Sequence, residues 1–158
     1  VFTQPPYVGY QEYFERMLFY GFFPSFFSVN SSNNVYWADS VKYNQGRPYF
    51  KKYIPLIKEI SLAGWQPITL ARLSTKELRI ERFGSKESDS LYFTVFNPSA
   101  KDAQITITID AKDLSINNIS GIDEMIDGKK LDYEKSGNYI LVTLDVQEKS
   151  TRLIKVVK

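Results

Sequence analysis

Residues 91–110 read LYFTVFNPSAKDAQITITID, and three signals follow one another in these twenty positions. Leu91 to Phe96 is apolar on both sides of an extended chain, so a strand there is covered on both faces or packs at an edge against another layer. Asn97-Pro98-Ser99 then interrupts the run with turn chemistry. Beyond it Ile105, Ile107 and Ile109 alternate with Thr106 and Thr108, the period of a strand with one buried face. The same signals extend outward. Leu78 and Ile80 alternate with Glu77, Arg79 and Glu81, and Tyr139 to Leu144 and Leu153 to Val157 are further apolar runs. Turn residues separate them at Gly84 to Ser90, Asp127-Gly128 and Ser136-Gly137-Asn138, and Asp127-Gly128 predicts a hairpin through a type I′ turn. Seven or eight short antiparallel strands from about Ile68 to Val157 predict a β-sandwich.

Toward the N-terminus the chemistry changes. Of 24 aromatic residues, 18 lie in residues 1–65, whereas 28 of the 38 charged residues lie in the remaining 93. Tyr10, Phe14, Met17, Leu18 and Gly21 fall at helical spacing, with Gln11, Glu12, Glu15 and Arg16 opposite, so a helix runs from Gly9 to about Tyr20. Phe22-Phe23-Pro24-Ser25-Phe26-Phe27 reads as a strand covered on both faces, of the kind found inside a parallel sheet or barrel. An 18-residue loop, Val29 to Gly46, leads to a second helix, Pro48 to Ala63. Pro48 suits its first turn, Phe50, Ile54, Ile57 and Ile60 form its stripe, Pro55 predicts a kink, and Gly64 sits just past its end. Trp65 reads as a plug between the regions. The predicted class is α+β: residues 1–66 carry two helices and the long loop, and residues 67–158 form the sandwich.

The first region does not enclose a core by itself. Burying an aromatic ring is worth roughly 1.5 to 3 kcal/mol, and a domain is stable by only about 5 to 15 kcal/mol. Most of the 18 rings therefore need cover, from the sandwich or from polypeptide outside this sequence.

Composition excludes several classes of function. At 43% hydrophobic and 24% charged residues the chain has a globular profile. A net charge of +2 is too small to attract nucleic acid or an anionic membrane. With neither Cys nor His, the chain offers no thiolate or imidazole metal site and no Ser-His-Asp or Cys-His centre, so no metal and no cofactor are predicted. Carboxylates, Tyr and Lys remain. No apolar run reaches the roughly 18 residues of a membrane span. The start, VFTQPPYVGY, has no initiator Met and no signal-peptide pattern, and the chain reads as a processed product or a piece of something longer.

The stretch Ser28 to Gly46, SVNSSNNVYWADSVKYNQG, gathers amide and hydroxyl groups beside flat aromatic faces. A pyranose ring stacks its C–H face on Trp or Tyr, and its hydroxyls need Asp, Asn or Arg in place of water. Asn33, Asn34, Tyr36, Trp37, Asp39 and Tyr43 are the candidates for binding carbohydrate. The alternative is a surface loop anchored by one buried Trp. Glu12 and Glu15, three residues apart, read as an ordinary solvent-facing helix surface balanced by Arg16 and not as the carboxylate pair of glycoside hydrolysis. Tyr13, Tyr20, Tyr49 and Tyr53 read as core. Lys149, Arg152, Lys155 and Lys158 read as the solvated side of the last strand.

The strings ERMLFYGFFPSFFS (15–28), YW (36–37), RPYFKKYIPLIKEISLAGWQPITLARLS (47–74), LRIERFG (78–84) and LYFTVFNPS (91–99) together resemble the C-terminal end of a (β/α)8-barrel glycoside hydrolase. In such enzymes the last barrel strand and helix lead into an antiparallel sandwich, a layout that Ile80 to Asn97 and Asp127 to Val157 fit. The resemblance implies that Phe22 to Phe27 is a late barrel strand and that Ser28 to Gly46 is a loop at the catalytic face. Asn34, Tyr36, Trp37 and Asp39 would then bind substrate, and no catalytic residue would lie in this chain, the acid and nucleophile being upstream. The implied partners are carbohydrate and the upstream segment of the same polypeptide or another chain. A stand-alone carbohydrate-binding or protein-interaction module is the competing reading.

Overall fold

The structure, a computed structural model, describes residues 9–25 and 40–158, with only the backbone of Lys42 included. Two helices precede ten strands: α1 (Tyr10–Tyr20), α2 (Ser40–Ala63), β1 (Trp65–Gln66), β2 (Ala71–Leu73), β3 (Arg79–Phe83), β4 (Ser90–Phe96), β5 (Ala103–Asp110), β6 (Gly121–Glu124), β7 (Lys129–Lys130), β8 (Glu134–Ser136), β9 (Tyr139–Val146) and β10 (Thr151–Val157). They form a six-stranded sheet, β1-β3-β4-β10-β6-β7, and a four-stranded sheet, β2-β5-β9-β8. The pairings within both are antiparallel.

Alternation decides what each strand gives to each layer. From β4, Leu91, Phe93 and Val95 join Ile154 and Val156 of β10 and meet Ile105, Ile107, Ile109, Ile140, Val142 and Leu144 of the facing sheet in one aliphatic core. The intervening positions of β4 and β10 point the other way, where the helices lie. The register pairs Tyr92 with Lys155, Thr94 with Leu153 and Phe96 with Thr151 on that face. The apolar run read at 91–96 is thus covered on both sides. Tyr139 to Leu144, by contrast, belongs to a strand whose inward residues Ile140, Val142, Leu144 and Val146 alternate with less buried ones.

Asn97 makes the crossover between the sheets possible. It is fully buried, its amide donates to the carbonyls of Lys101 at 2.7 Å and Val146 at 3.2 Å, and its Oδ1 accepts from Ser99 N at 3.0 Å and Ser99 Oγ at 2.7 Å. A buried amide with these partners costs little to bury and fixes the turn. The hairpin at Asp127-Gly128 is present but is wider than predicted. Glu124 pairs with Lys129 across four loop residues, and of these only Gly128, at φ 66°, is left-handed. Glu124 supplies the difference, its carboxylate accepting from the N–H groups of Ile126 at 3.2 Å and Asp127 at 2.7 Å.

Helix α1 follows the predicted span and ends at Gly21, whose φ of 67° and N–H bond to Leu18 O at 3.1 Å, with Phe22 N to Met17 O at 2.9 Å, make a Schellman cap. A Cβ at Gly21 would also sit 2.7 Å from Phe83 Cε1, so this position needs glycine twice over. Helix α2 begins at Ser40, eight residues before the predicted start, and includes both Pro48 and Pro55. The end of the predicted loop is therefore helical. A proline in the helix interior forfeits one i to i−4 donor, which Pro48 does here instead of opening the first turn. The second helix ends as read, with Gly64 at φ 83°.

Three further expectations are corrected. The described part of the predicted doubly covered strand, Phe22 to Ser25, is no strand, and Phe22 and Phe23 are 63% and 54% exposed. The cap at Gly21 turns the chain away and Pro24 has no N–H for a ladder. Ser25 is instead tied to the Tyr13 hydroxyl, which donates to Ser25 O at 3.1 Å and accepts from Ser25 N at 3.0 Å. Trp65 is no plug: it is 56% exposed on the edge strand, its indole N–H donating to Glu81 at 2.8 Å. Phe83, its partner across the ladder, is the buried ring. Finally, Tyr20 is 40% exposed rather than core, while Tyr53 is fully enclosed. The sandwich does cover much of the first region, since Phe14, Leu18, Tyr53, Ile57 and Ile60 share a cluster with Phe83, Tyr92 and Leu153 of the six-stranded sheet.

Candidate functional site

Asn33, Asn34, Tyr36, Trp37 and Asp39 lie outside the described residues. Tyr43, the remaining candidate, stands in the first turn of α2, 37% exposed, with the Arg47 guanidinium 5.9 Å from its ring centroid.

Polar chemistry on the described side gathers where the helices meet the six-stranded sheet. Glu15 is the unexpected member. It does not face solvent: only 3% of it is exposed. The Tyr53 hydroxyl donates to its Oε1 at 2.5 Å and the Thr151 N–H to its Oε2 at 2.8 Å, while the Thr151 hydroxyl donates to the Glu15 backbone carbonyl at 2.6 Å. Burial raises the Glu15 pKa above its ordinary value, against the lowering effect of the Tyr53 and Thr151 bonds. Burial and the neighbouring carboxylate push the Tyr53 phenol up as well. A signal for this was present in the sequence. At about 100° per residue, Leu18 and Phe19 fall within roughly 60° of Glu15 on the helix, so Glu15 shares their inward face. Glu12 does lie outside and pairs with Arg16 at 2.6 Å.

A second cluster stands nearby on the same interface. Glu59 of α2 accepts from Tyr92 at 2.8 Å and from Lys155 at 2.8 Å, and the Lys155 ammonium lies 5.3 Å from the Tyr92 ring centroid. Burial opposes the Glu59 carboxylate, but the bonds from Lys155 and Tyr92 outweigh it and hold its pKa below the ordinary value. The bond to Glu59 raises that of Lys155. The three acids of the described helices are thus engaged: Glu12 and Glu59 in ion pairs, Glu15 in a sealed knot. The contacts of Glu15 and Glu59 orient the helices on the sheet and do not present either carboxylate to a substrate.

Two open depressions mark the described surface. One, of about 610 Å³, lies between the start of α1 and the sandwich loops and is lined by Gln11, Glu12, Asp102, Gln147, Glu148 and Lys149 among others. Its acids are partly committed, Glu12 to Arg16 and Asp102 to the Glu148 N–H at 2.9 Å. The other, of about 210 Å³, lies on the four-stranded sheet beside Arg72, Asp110 and Tyr139. Among the described residues no group of three acids could hold a metal ion, and no helix is long and apolar enough to cross a membrane.

Two helices laid on one face of a β-sandwich define a fold that recurs within glycoside hydrolases. The structure is similar to part of alpha-galactosidase I from Mortierella vinacea, with a TM-score of 0.53 and 15% identity over 98% of this chain and 37% of that enzyme. It is similar also to part of a GH27 β-L-arabinopyranosidase from Geobacillus stearothermophilus, with a TM-score of 0.50 and 11% identity over 96% of this chain and 31% of that one. Against an alpha-amylase from Geobacillus thermoleovorans the TM-score is 0.50 and the identity 14%, over 72% of this chain and 23% of the amylase. The chain thus spans between about a quarter and just over a third of the length of these enzymes. No protein-family model and no curated protein sequence matches it.

Proposed function

We propose that this chain is the C-terminal part of a glycoside hydrolase. In this reading residues 1–66 close a (β/α)8 barrel and residues 67–158 form a non-catalytic sandwich braced against it. Asn34, Tyr36, Trp37 and Asp39 line the substrate cleft, with Trp37 or Tyr36 stacking on a sugar ring and Asn34 and Asp39 bonding its hydroxyls. The nucleophile and the acid belong to polypeptide outside this sequence. One observation carries the proposal: nearly the whole chain superposes on a minor share of an alpha-galactosidase, 98% against 37%. The described helices support it, because their three acids are already engaged and Phe22 and Phe23 present open rings at the end of α1. Rings so placed suit cover by neighbouring barrel polypeptide.

The 158-residue chain should not hydrolyse a panel of aryl glycosides, and clear turnover that co-purifies with it would refute the incomplete-site claim. The coding sequence upstream of Val1 should carry repeating βα units with two suitably spaced carboxylates. An unrelated domain there would overturn the whole reading.

A further inference from the structure

On the outer face of the four-stranded sheet, cross-strand polar pairs satisfy one another over one half of the β5–β9 ladder. Gln104 donates to Asp145 at 3.0 Å, and Thr106 and Thr143 share a hydrogen bond of 3.0 Å. At the other end of the same face the pattern stops. Arg72 stands opposite Thr108, and Asp110 opposite Tyr139, and these four border the depression of about 210 Å³ together with Leu70 and Ala71.

The Arg72 guanidinium lies 5.6 Å from the Tyr139 ring centroid, and its N–H groups meet no acceptor among the described residues. One Asp110 oxygen accepts from Asp113 N at 3.0 Å, which leaves the other open. Tyr139 is 41% exposed. Leu70 forms one wall in the left-handed region at φ 52°, its carbonyl accepting from Asp110 N at 2.9 Å. For a side chain with a Cβ that conformation carries strain, and strain of this kind persists where the surrounding structure fixes it. The result is an aromatic ring, a five-donor guanidinium, a carboxylate oxygen and a hydroxyl around one hollow, with cation and anion in balance.

We propose that Arg72, Thr108, Asp110 and Tyr139 form a non-catalytic binding site for one neutral sugar unit of an oligo- or polysaccharide. A neutral polyol needs donors and acceptors together, and the balanced pair supplies both. A charged ligand would meet one attractive and one repulsive partner. The C–H face of the ring packs on Tyr139, vicinal hydroxyls accept from Arg72, and another donates to Asp110. Its four polar members stand on β2, β5 and β9, and the site does not depend on the cleft assignment above.

Affinity electrophoresis of the 158-residue chain through gels containing soluble starch, galactomannan or arabinogalactan tests this. Retardation is expected in at least one gel. Tyr139→Ala should weaken the apparent affinity about tenfold, Arg72→Gln should weaken it too, and Tyr139→Phe should keep most of it. Thr143→Ala, on the same face but outside the hollow, should migrate as the parent does. Unretarded migration in all three gels, retardation that survives both Tyr139→Ala and Arg72→Gln, or loss with Trp37→Ala alone would overturn the proposal. The Arg72 variant changes an exposed side chain, so the test stands even where Tyr139→Ala perturbs folding.

Discussion

The two faces of the six-stranded sheet are built from alternate residues of the same strands, yet they solve different problems. Toward the second sheet, Leu91, Phe93, Val95, Ile154 and Val156 meet aliphatic side chains, and shape and area hold the layers. Toward the helices, Tyr92, Thr94, Leu153 and Thr151 meet rings and acids, and polar contacts are embedded in the packing. Thr94 donates to the Phe19 carbonyl at 2.8 Å near the end of α1, Thr151 holds Glu15, and Lys155 holds Glu59. Aliphatic surface is non-directional and tolerates sliding, whereas buried hydrogen bonds break when a layer shifts. The difference teaches that the sandwich is held by area and the helices are held in place by direction.

That contrast can be broken at the apolar face first. Phe93→Ala opens a cavity in the fully buried core and should cost about 3 to 5 kcal/mol of unfolding free energy in a urea titration; a loss under 1 kcal/mol would mean that the layers are not held by packing area. Next comes the directional face. Glu15→Ala strands the Tyr53 hydroxyl and the Thr151 N–H without their acceptor, for a loss of about 2 to 4 kcal/mol. Glu15→Gln keeps an acceptor and should lose less. Equal losses in the two variants would show that Glu15 acts by volume alone.

The pH dependence sharpens the same point. Burial lifts the folded pKa of Glu15 above its ordinary value near 4.5, so between the two values the folded state binds the extra proton. The stability this provides is complete below the ordinary value and is lost as pH rises through the folded one. Glu59, held low, acts in the opposite sense: its contribution is present above the ordinary value and is lost as pH falls through its depressed pKa. As pH falls from 7 toward the ordinary carboxylate value, denaturation should therefore show a rise in stability that Glu15→Gln removes and Glu59→Gln leaves intact. Smallest of all is the partly exposed Glu59–Lys155 pair, where Lys155→Met should change stability by about 1 kcal/mol or less, with an effect that shrinks in salt.

Much of the sandwich was legible because its alternation is local. Ile105, Ile107 and Ile109 state their own face, Asn97-Pro98-Ser99 marks its own turn, and Gly64 its own helix end. The helical layer was less so. Gly46 and Pro48 suggested a helix start by local rules, and α2 passes through both because its later face, Tyr53, Ile57 and Ile60, is anchored on the sheet. Glu15 was misread since a carboxylate on a helix defaults to solvent, and its acceptor role depends on Tyr53 and Thr151, 38 and 136 residues away. Asn34, Tyr36, Trp37 and Asp39 lie outside the described residues, and their role is a proposal to be tested by substitution.

The amino-acid order by itself determined the α+β class, the strands that alternate, the two glycine-terminated helices and the excess of rings that needs cover, because each depends on neighbours within a turn or a pleat. Which rings find cover, which carboxylate turns inward, and where Arg72 comes to lie over Tyr139 were decided only by tertiary structure. Those outcomes depend on partners brought together by sheet register and layer packing, and no local stretch contains both members of such a pair.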